Sequence, residues 1–257
     1  MAPWAQSAKR RLRSLFPAIL TVLAIALLWQ LGVPLLNVPG YILPLPSAII
    51  DLVLSAKVHW AYNAFLTLAE ALLGFSVAAI VGVALAAAIA FSRPLRTVAE
   101  PLVVAAQLIP KVALIPVLFL WFGFDVVPRI VAVFLVCFFP IVVASAAGFM
   151  AVDENLADLV RSYSSSKLLM LRKVSFPVAL PSIFAGLKIA IVLAPVGAVV
   201  AEFISSQAGL GFLILAGEEQ LNTTLVFAAT AVLILGAFLL YGIVLIAEKL
   251  VIPWSNS

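Results

Sequence analysis

The chain has 257 residues, 65% of them hydrophobic and 10% charged, where an ordinary soluble domain runs to about 45–50% apolar and about 25% charged. Its 15 Lys and Arg and 11 Asp and Glu are too few to cover a water-facing surface of this size, so a soluble globular protein is excluded and the chain is built for lipid. The net charge of +4 comes from basic residues clustered between apolar runs, a pattern that encodes membrane orientation and gives no reason to expect nucleic acid.

A crossing helix needs about 20 residues for a hydrocarbon core of about 30 Å, so the length allows five to seven crossings, and one transmembrane domain over residues 1–257 is expected. Lys9, Arg10, Arg11 and Arg13 precede an apolar run from Leu15 to Val33, too long for the h-region of a signal peptide and read as a retained first crossing. Asn37 to Ser47 holds three prolines and a glycine and reads as a loop. Asp51 to Tyr62 reads as a short surface piece carrying the lone histidine, His59.

The second crossing spans Asn63 to Ser92, with Arg93-Pro94 as its stop. Gly74, Ala78, Gly82, Ala86 and Ala90 place a small residue at every fourth position, on one face where another helix can approach closely. A third crossing from Pro101 to Trp121 is expected to bend at Pro110 and Pro116. The turn Gly123 to Pro128 leads to a fourth from Arg129 to Val152, in which Cys137 reads as a small packing residue. Asp153 to Lys173 is dense in charge, too polar to span and helical in pattern, and so forms a substantial loop. The fifth crossing, Leu180 to Ile204, repeats the spacing of four with Gly186, Ala190, Ala194 and Ala198. An amphipathic segment, Ser206 to Leu221, precedes the sixth, Thr223 to Ala247.

Six crossings put both termini on one side. If that side is cytoplasmic, Lys57 and Arg129 are the basic residues left outside, while Arg93, Arg96, Arg161, Lys167, Arg172, Lys173 and Lys249 join the N-terminal cluster inside, as the positive-inside rule requires. The basic loop is then cytoplasmic. Catalytic, metal-binding and cofactor-binding motifs are missing: there is no GxxxxGK[ST], no G-x-S-x-G and no His and Cys cluster. A membrane enzyme is therefore not expected, and the convincing internal repeat of many secondary transporters is not found.

Charges inside the spans stand out. Glu70 lies one turn before Gly74, Glu202 one turn after Ala198, and Lys111 between the two prolines of the third crossing. A charge at the bilayer centre costs at least about 2.5–3.5 kcal/mol and so usually faces a bundle interior, a water-filled cavity or a counter-charge. For Glu70 and Glu202 a place on a translocation pathway and a role as interfacial anchors or a helix-locking pair stand side by side; for Lys111 a pathway or ion-pair role is favoured.

The segment Asp158 to Gly186 resembles the cytoplasmic loop of permease subunits of ATP-binding cassette (ABC) importers, whose pattern is Glu-Ala-Ala, three residues, Gly, nine residues, then Ile-x-Leu-Pro. Here Asp158 falls at the Glu, Ser164 at the Gly, and Val174, Phe176 and Pro177 at the closing Ile, Leu and Pro. Thr67 to Phe75 (TLAEALLGF), Ile109 to Gly123 (IPKVALIPVLFLWFG) and Ala201 to Phe212 (AEFISSQAGLGF) are similar to the same superfamily and occur in its order. They are closest to the branch that includes permeases for nitrate, taurine, alkanesulfonates, thiamine-precursor pyrimidines and riboflavin, with a lean toward the pyrimidine and flavin members.

The resemblance implies an all-α type I importer permease of about six transmembrane helices in a bacterial inner membrane. A second permease copy is expected because the small-residue faces of the second and fifth crossings exceed what one six-helix bundle needs; the resemblance further implies two cytoplasmic ATP-binding subunits and an extracytoplasmic substrate-binding protein. It makes residues 153–177 a coupling loop, in which Asp158, Arg161, Ser164, Ser165, Ser166, Lys167, Leu168 and Pro177 are the candidate contacts to the ATPase.

Overall fold

A computed structural model describes residues 3–153, 162, 166–205 and 207–254. Among them every regular element is helical: α1 (Pro3–Leu35), α2 (Pro46–Leu54), α3 (Trp60–Phe91), α4 (Arg93–Leu108), α5 (Lys111–Phe122), α6 (Val126–Met150), α7 (Lys167–Met170), a wider π-type turn (Leu171–Ser175), α8 (Phe176–Ser205), α9 (Leu210–Glu219) and α10 (Thr223–Val251). The candidate coupling residues Asp158, Arg161, Ser164 and Ser165 lie outside the described residues, as do the side chains of Lys167 and Leu168.

The chain divides into two compact units, Met1–His59 with Leu213–Ala231, and Trp60–Phe212 with Val232–Ser257. In the first, Gln30 ties α1 to the start of α2: its Nε2 donates to Ser47 Oγ and its Oε1 accepts from Ser47 N, both at 3.1 Å. Thr223 Oγ1 donates to the Gly40 carbonyl at 2.8 Å, and the Trp29 and Phe227 rings pack with centroids 5.7 Å apart. α1 continues as one helix through the apolar run expected as the first crossing.

The second unit is built around α6, which packs on α3 along one side and on α8 along another. Small residues allow this, and the closeness is measurable. A Cβ added at Gly74 would lie 2.5 Å from Val133 Cβ and 2.7 Å from the Ile130 carbonyl oxygen; one at Gly186 would lie 2.8 Å from Ala144 Cβ, and one at Gly197 3.1 Å from Val133 Cα. Ala78, Ala86, Ala190, Ala194 and Ala198 are fully buried. The two small-residue faces seen in the sequence are therefore both occupied within one chain, each against α6. Cys137 is buried as expected, its thiol donating to the Ala190 carbonyl at 3.3 Å.

These contacts also fix direction. Gly74 meets Val133 and Gly82 meets Ile141, so α3 and α6 run parallel; Gly186 meets Ala144 and Gly197 meets Val133, so α8 runs antiparallel to α6. Parallel neighbours require the residues between them to return across the membrane. That return is made by α4 and α5, which meet at 93° across Ile109 and Pro110. The expected third crossing is thus two helices instead of one bent helix, and Pro116 sits inside α5 without breaking it. α5 alone, with 12 residues, covers about 18 Å and could not span.

Among the described residues four helices are long and apolar enough to cross, Trp60–Phe91, Val126–Met150, Leu171–Ser205 and Thr223–Val251, or five when the bent pair counts as one span. The first crossing expected from sequence falls in α1.

The π-type turn has a local cause. Pro177 is the second residue of α8, and in a regular helix its ring would collide with the carbonyl four residues back, that of Lys173. Widening Leu171–Ser175, with Phe176 N donating to the Leu171 carbonyl, lets the helix continue through it. Helical backbone accordingly runs unbroken from Lys167 to Ser205.

Candidate functional site

The directions of α3, α6 and α8 bring the N-terminal ends of the first two and the C-terminal end of the third together, and with them the buried polar residues Asn63, Thr67, Glu70 and Glu202. Asn63, Thr67 and Glu70 share one face of α3 at helical spacing, and all three are buried. Arg129, in the first turn of α6, extends its guanidinium to Glu70 Oε1 at 2.7 Å. Asp125 caps that helix by accepting from Val126 N at 2.7 Å.

Glu202 does not pair with Glu70. At 1% exposure it accepts from the Thr67 hydroxyl at 2.6 Å and from the Gly211 amide at 2.6 Å. Thr67 Oγ1 in turn accepts from the Leu210 amide at 2.8 Å, and Asn63 Oδ1 accepts from the Gly209 amide at 2.7 Å. Three successive amides at the start of α9, which have no partner within that helix, thus end on side chains of α3 and α8. The positive end of α9 meets a carboxylate, a favourable pairing.

The glycines belong to this arrangement. Gly209 has φ +115°, a conformation L side chains rarely adopt, and an added Cβ would run into the Glu202 carboxylate. At Gly211 an added Cβ would lie 2.7 Å from Glu202 Oε2 and 2.8 Å from the Val199 carbonyl oxygen.

Lys111 lies apart from this cluster. It opens α5, and its Nζ donates to the Gln107 carbonyl at 2.9 Å across the α4–α5 break, with the Phe139 ring centroid 5.0 Å away. A cation beside a carbonyl freed by a broken helix has a favourable partner, and irregular backbone at membrane depth is tolerated where protein or water covers it. Ser166, also assigned to coupling, is exposed, and its hydroxyl accepts from the Leu169 amide at 3.4 Å at the start of α7.

Sequence reasoning missed the partners. From sequence Arg129 reads only as a charge outside the membrane, whereas Asn63 and Thr67, polar residues at helical spacing from Glu70 on an apolar helix, carry a legible signal. It also missed the ion pair of Lys188 with Glu248, whose two oxygens lie 2.9 and 3.0 Å from Lys188 Nζ. Both residues sit inside apolar stretches, and only the packing of α8 beside α10 joins them.

Residues 78–253, which include α6, α8 and the Gly209–Gly211 turn, match the family described as the binding-protein-dependent transport system inner membrane component. The chain belongs to that family. It is a permease subunit of a type I ABC importer, of the branch its motifs suggest, and the ATPase activity lies in a separate subunit. It is 35% identical to a probable ABC transporter permease protein of Haemophilus influenzae, over 90% of this chain and 94% of the relative. It is 33% identical to a riboflavin transport system permease protein of Chloroflexus aurantiacus, over 96% of each. A formylaminopyrimidine transport permease protein of Halalkalibacterium halodurans is 28% identical over 97% of this chain and 99% of its own length. Other relatives carry names for aliphatic sulfonate, taurine and bicarbonate transport.

Proposed function

We propose that this permease works as a pair of identical subunits that enclose a pathway for a small heterocycle of the thiamine-precursor pyrimidine or riboflavin type. An external binding protein delivers the solute, and two cytoplasmic ATP-binding subunits drive the cycle. The relatives named for riboflavin and formylaminopyrimidine support the substrate class; nitrate, taurine or an alkanesulfonate is the alternative. Both termini are placed in the cytoplasm of a bacterial cell, in line with the distribution of basic residues.

The observation that carries the pairing is the packing of the core. With five alanines fully buried along α3 and α8, α3, α6 and α8 leave no room for a solute between them, so the pathway runs along the surface of this core against another subunit. Lys111, at the α4–α5 break, is the candidate pathway residue on that surface. Glu70 and Glu202 close the end opposite the Asp153–Lys173 loop. Their internal partners favour a part in holding the outer side shut over direct contact with solute.

The coupling role of residues 153–177 follows from the match to the family loop pattern and from the unbroken helix that leads from Lys167 into α8. Reconstitution with the ATPase and the binding protein tests these assignments together. ATP-dependent uptake of the pyrimidine or flavin, two permease copies per complex and cross-linking of Ser165 to the ATPase are expected. A complex with one permease copy overturns the pairing, uptake of sulfonates alone overturns the substrate class, and failure to cross-link overturns the coupling assignment.

A further inference from the structure

The turn at the start of α9 is held by side chains of two other helices. Gly209 N ends on Asn63 of α3, Leu210 N on Thr67 of α3 and Gly211 N on Glu202 of α8. The Thr67 hydroxyl is shared, donating to Glu202 while accepting from Leu210. Sliding α8 along α3 stretches the Thr67–Glu202 bond directly and pulls on the turn through the Gly211 amide that Glu202 holds, while the Thr67 hydroxyl has the Asn63 carbonyl, 3.2 Å away, as its other acceptor. Linked bonds of this kind are made or lost together, which gives two states in place of graded slack. The glycines fit the turn to this holder: at either position a side chain would occupy the space of the Glu202 carboxylate or lie against it.

Glu202 is also near one end of the unbroken helical stretch that begins at Lys167. A displacement entering where the chain leaves the 153–166 segment therefore reaches the latch through a single helix, without crossing a loop.

We infer that Asn63 and Thr67 are positioning residues of a releasable latch, which with Glu202 holds the Gly209–Gly211 turn in one state of the transport cycle and frees it in the other. This rests on the importer function proposed above. A cap that served only to stabilise the fold would hold the turn equally in every state, so the two roles differ in a measurable way.

The test is amide hydrogen exchange at Gly209, Leu210 and Gly211 in the intact transporter with its ATPase subunits, nucleotide-free and trapped with ATP and vanadate. Exchange about tenfold faster in the trapped state is expected; equal protection in the two states, with uptake intact, overturns the latch. Independently, Thr67→Val should lower solute taken up per ATP hydrolysed by about fivefold or more, within the usual range of coupling between sites, while Thr67→Ser, which keeps the hydroxyl, should restore it. A valine variant coupled as well as the wild type also overturns the latch. Wild-type transporter that shows no ATP-dependent uptake removes the importer function first, and the latch with it, an outcome distinct from equal exchange in a working transporter.

Discussion

Gly74→Ala puts the tightest helix-to-helix approach at a glycine among the described residues to a quantitative test. The new methyl would lie 2.5 Å from Val133 Cβ and 2.7 Å from the Ile130 carbonyl oxygen. Neither atom is the end of a flexible side chain, so α3 and α6 must move apart. Overpacking costs about 1–3 kcal/mol, and two rigid neighbours place this case near 3. Replacing a helical glycine with alanine returns about 1 kcal/mol of propensity, leaving a net loss of about 2 kcal/mol. At about 2–4 °C per kcal/mol for a chain of this size, the melting temperature of the purified permease in detergent should fall by about 4–8 °C.

Two further glycines act as internal standards. At Gly82 the nearest atom to an added methyl is Ile141 Cγ2 at 3.0 Å, a side-chain end that can turn away, so Gly82→Ala should be close to neutral. At Gly242 nothing lies within 4 Å, so Gly242→Ala should gain the propensity term and raise the midpoint by about 2–4 °C. The expected order is Gly242→Ala above wild type, Gly82→Ala near it and Gly74→Ala below. A Gly74→Ala midpoint at or above that of Gly242→Ala would refute the contact between α3 and α6, and with it the parallel direction derived from it.

Arg129→Met should destabilise the permease by about 3 kcal/mol, because it strands the buried Glu70 carboxylate, and adding Glu70→Leu should recover most of that loss; thermal unfolding of the two variants checks it. Lys188→Met and Glu248→Leu should each lower stability while the double variant approaches wild type, the sign of a partly buried pair whose desolvation offsets its attraction. A double-mutant cycle reads that coupling directly. Lys111→Met should slow uptake without changing the amount of ATPase that co-purifies, and normal uptake at equal abundance would remove Lys111 from the pathway. Acidic, bulky replacements at Ser165 and Lys167 should uncouple ATP hydrolysis from uptake while insertion is unchanged; normal uptake by that variant with its ATPase bound would show the coupling assignment to be wrong.

The sequence makes some of this architecture legible and hides the rest for physical reasons. Hydropathy gives the apolar stretches, and the spacing of Gly74, Ala78, Gly82 and Ala86 identifies the face of α3 that packs closely. It does not say against what. The same pattern in α8 invites pairing with a second copy, yet both faces meet α6, and only the contacts at Val133, Ile141 and Ala144 show it.

The bend is half visible. Pro110 and Pro116 are equivalent as letters, but the chain turns by 93° at the first and continues helically through the second. Breaking the helix at Pro110 frees backbone carbonyls, and Lys111 is there to take that of Gln107. In the candidate site, Glu70 and Glu202 are conspicuous because carboxylates are rare in apolar helices. Their partners are ordinary residues far away in sequence, and pairing them depends on helix direction, which hydropathy does not contain.

The parallel course of α3 and α6 has a consequence for how the permease is made. Glu70 is synthesised 129 − 70 = 59 residues before Arg129, its only ionic partner among the described residues. At about 5–20 residues per second, α3 waits about 3–12 s before that partner exists, and the α4–α5 return must be threaded during the interval. A carboxylate left unpaired in hydrocarbon for that time carries a penalty that reaches about 2.5–3.5 kcal/mol at the bilayer centre and is smaller toward the end where Glu70 sits. Helix α3 is therefore poorly suited to leave the insertion machinery alone and is better released together with α6, as a preassembled pair. Removing Arg129 acts at two stages, on the escape of α3 into lipid and on the finished core.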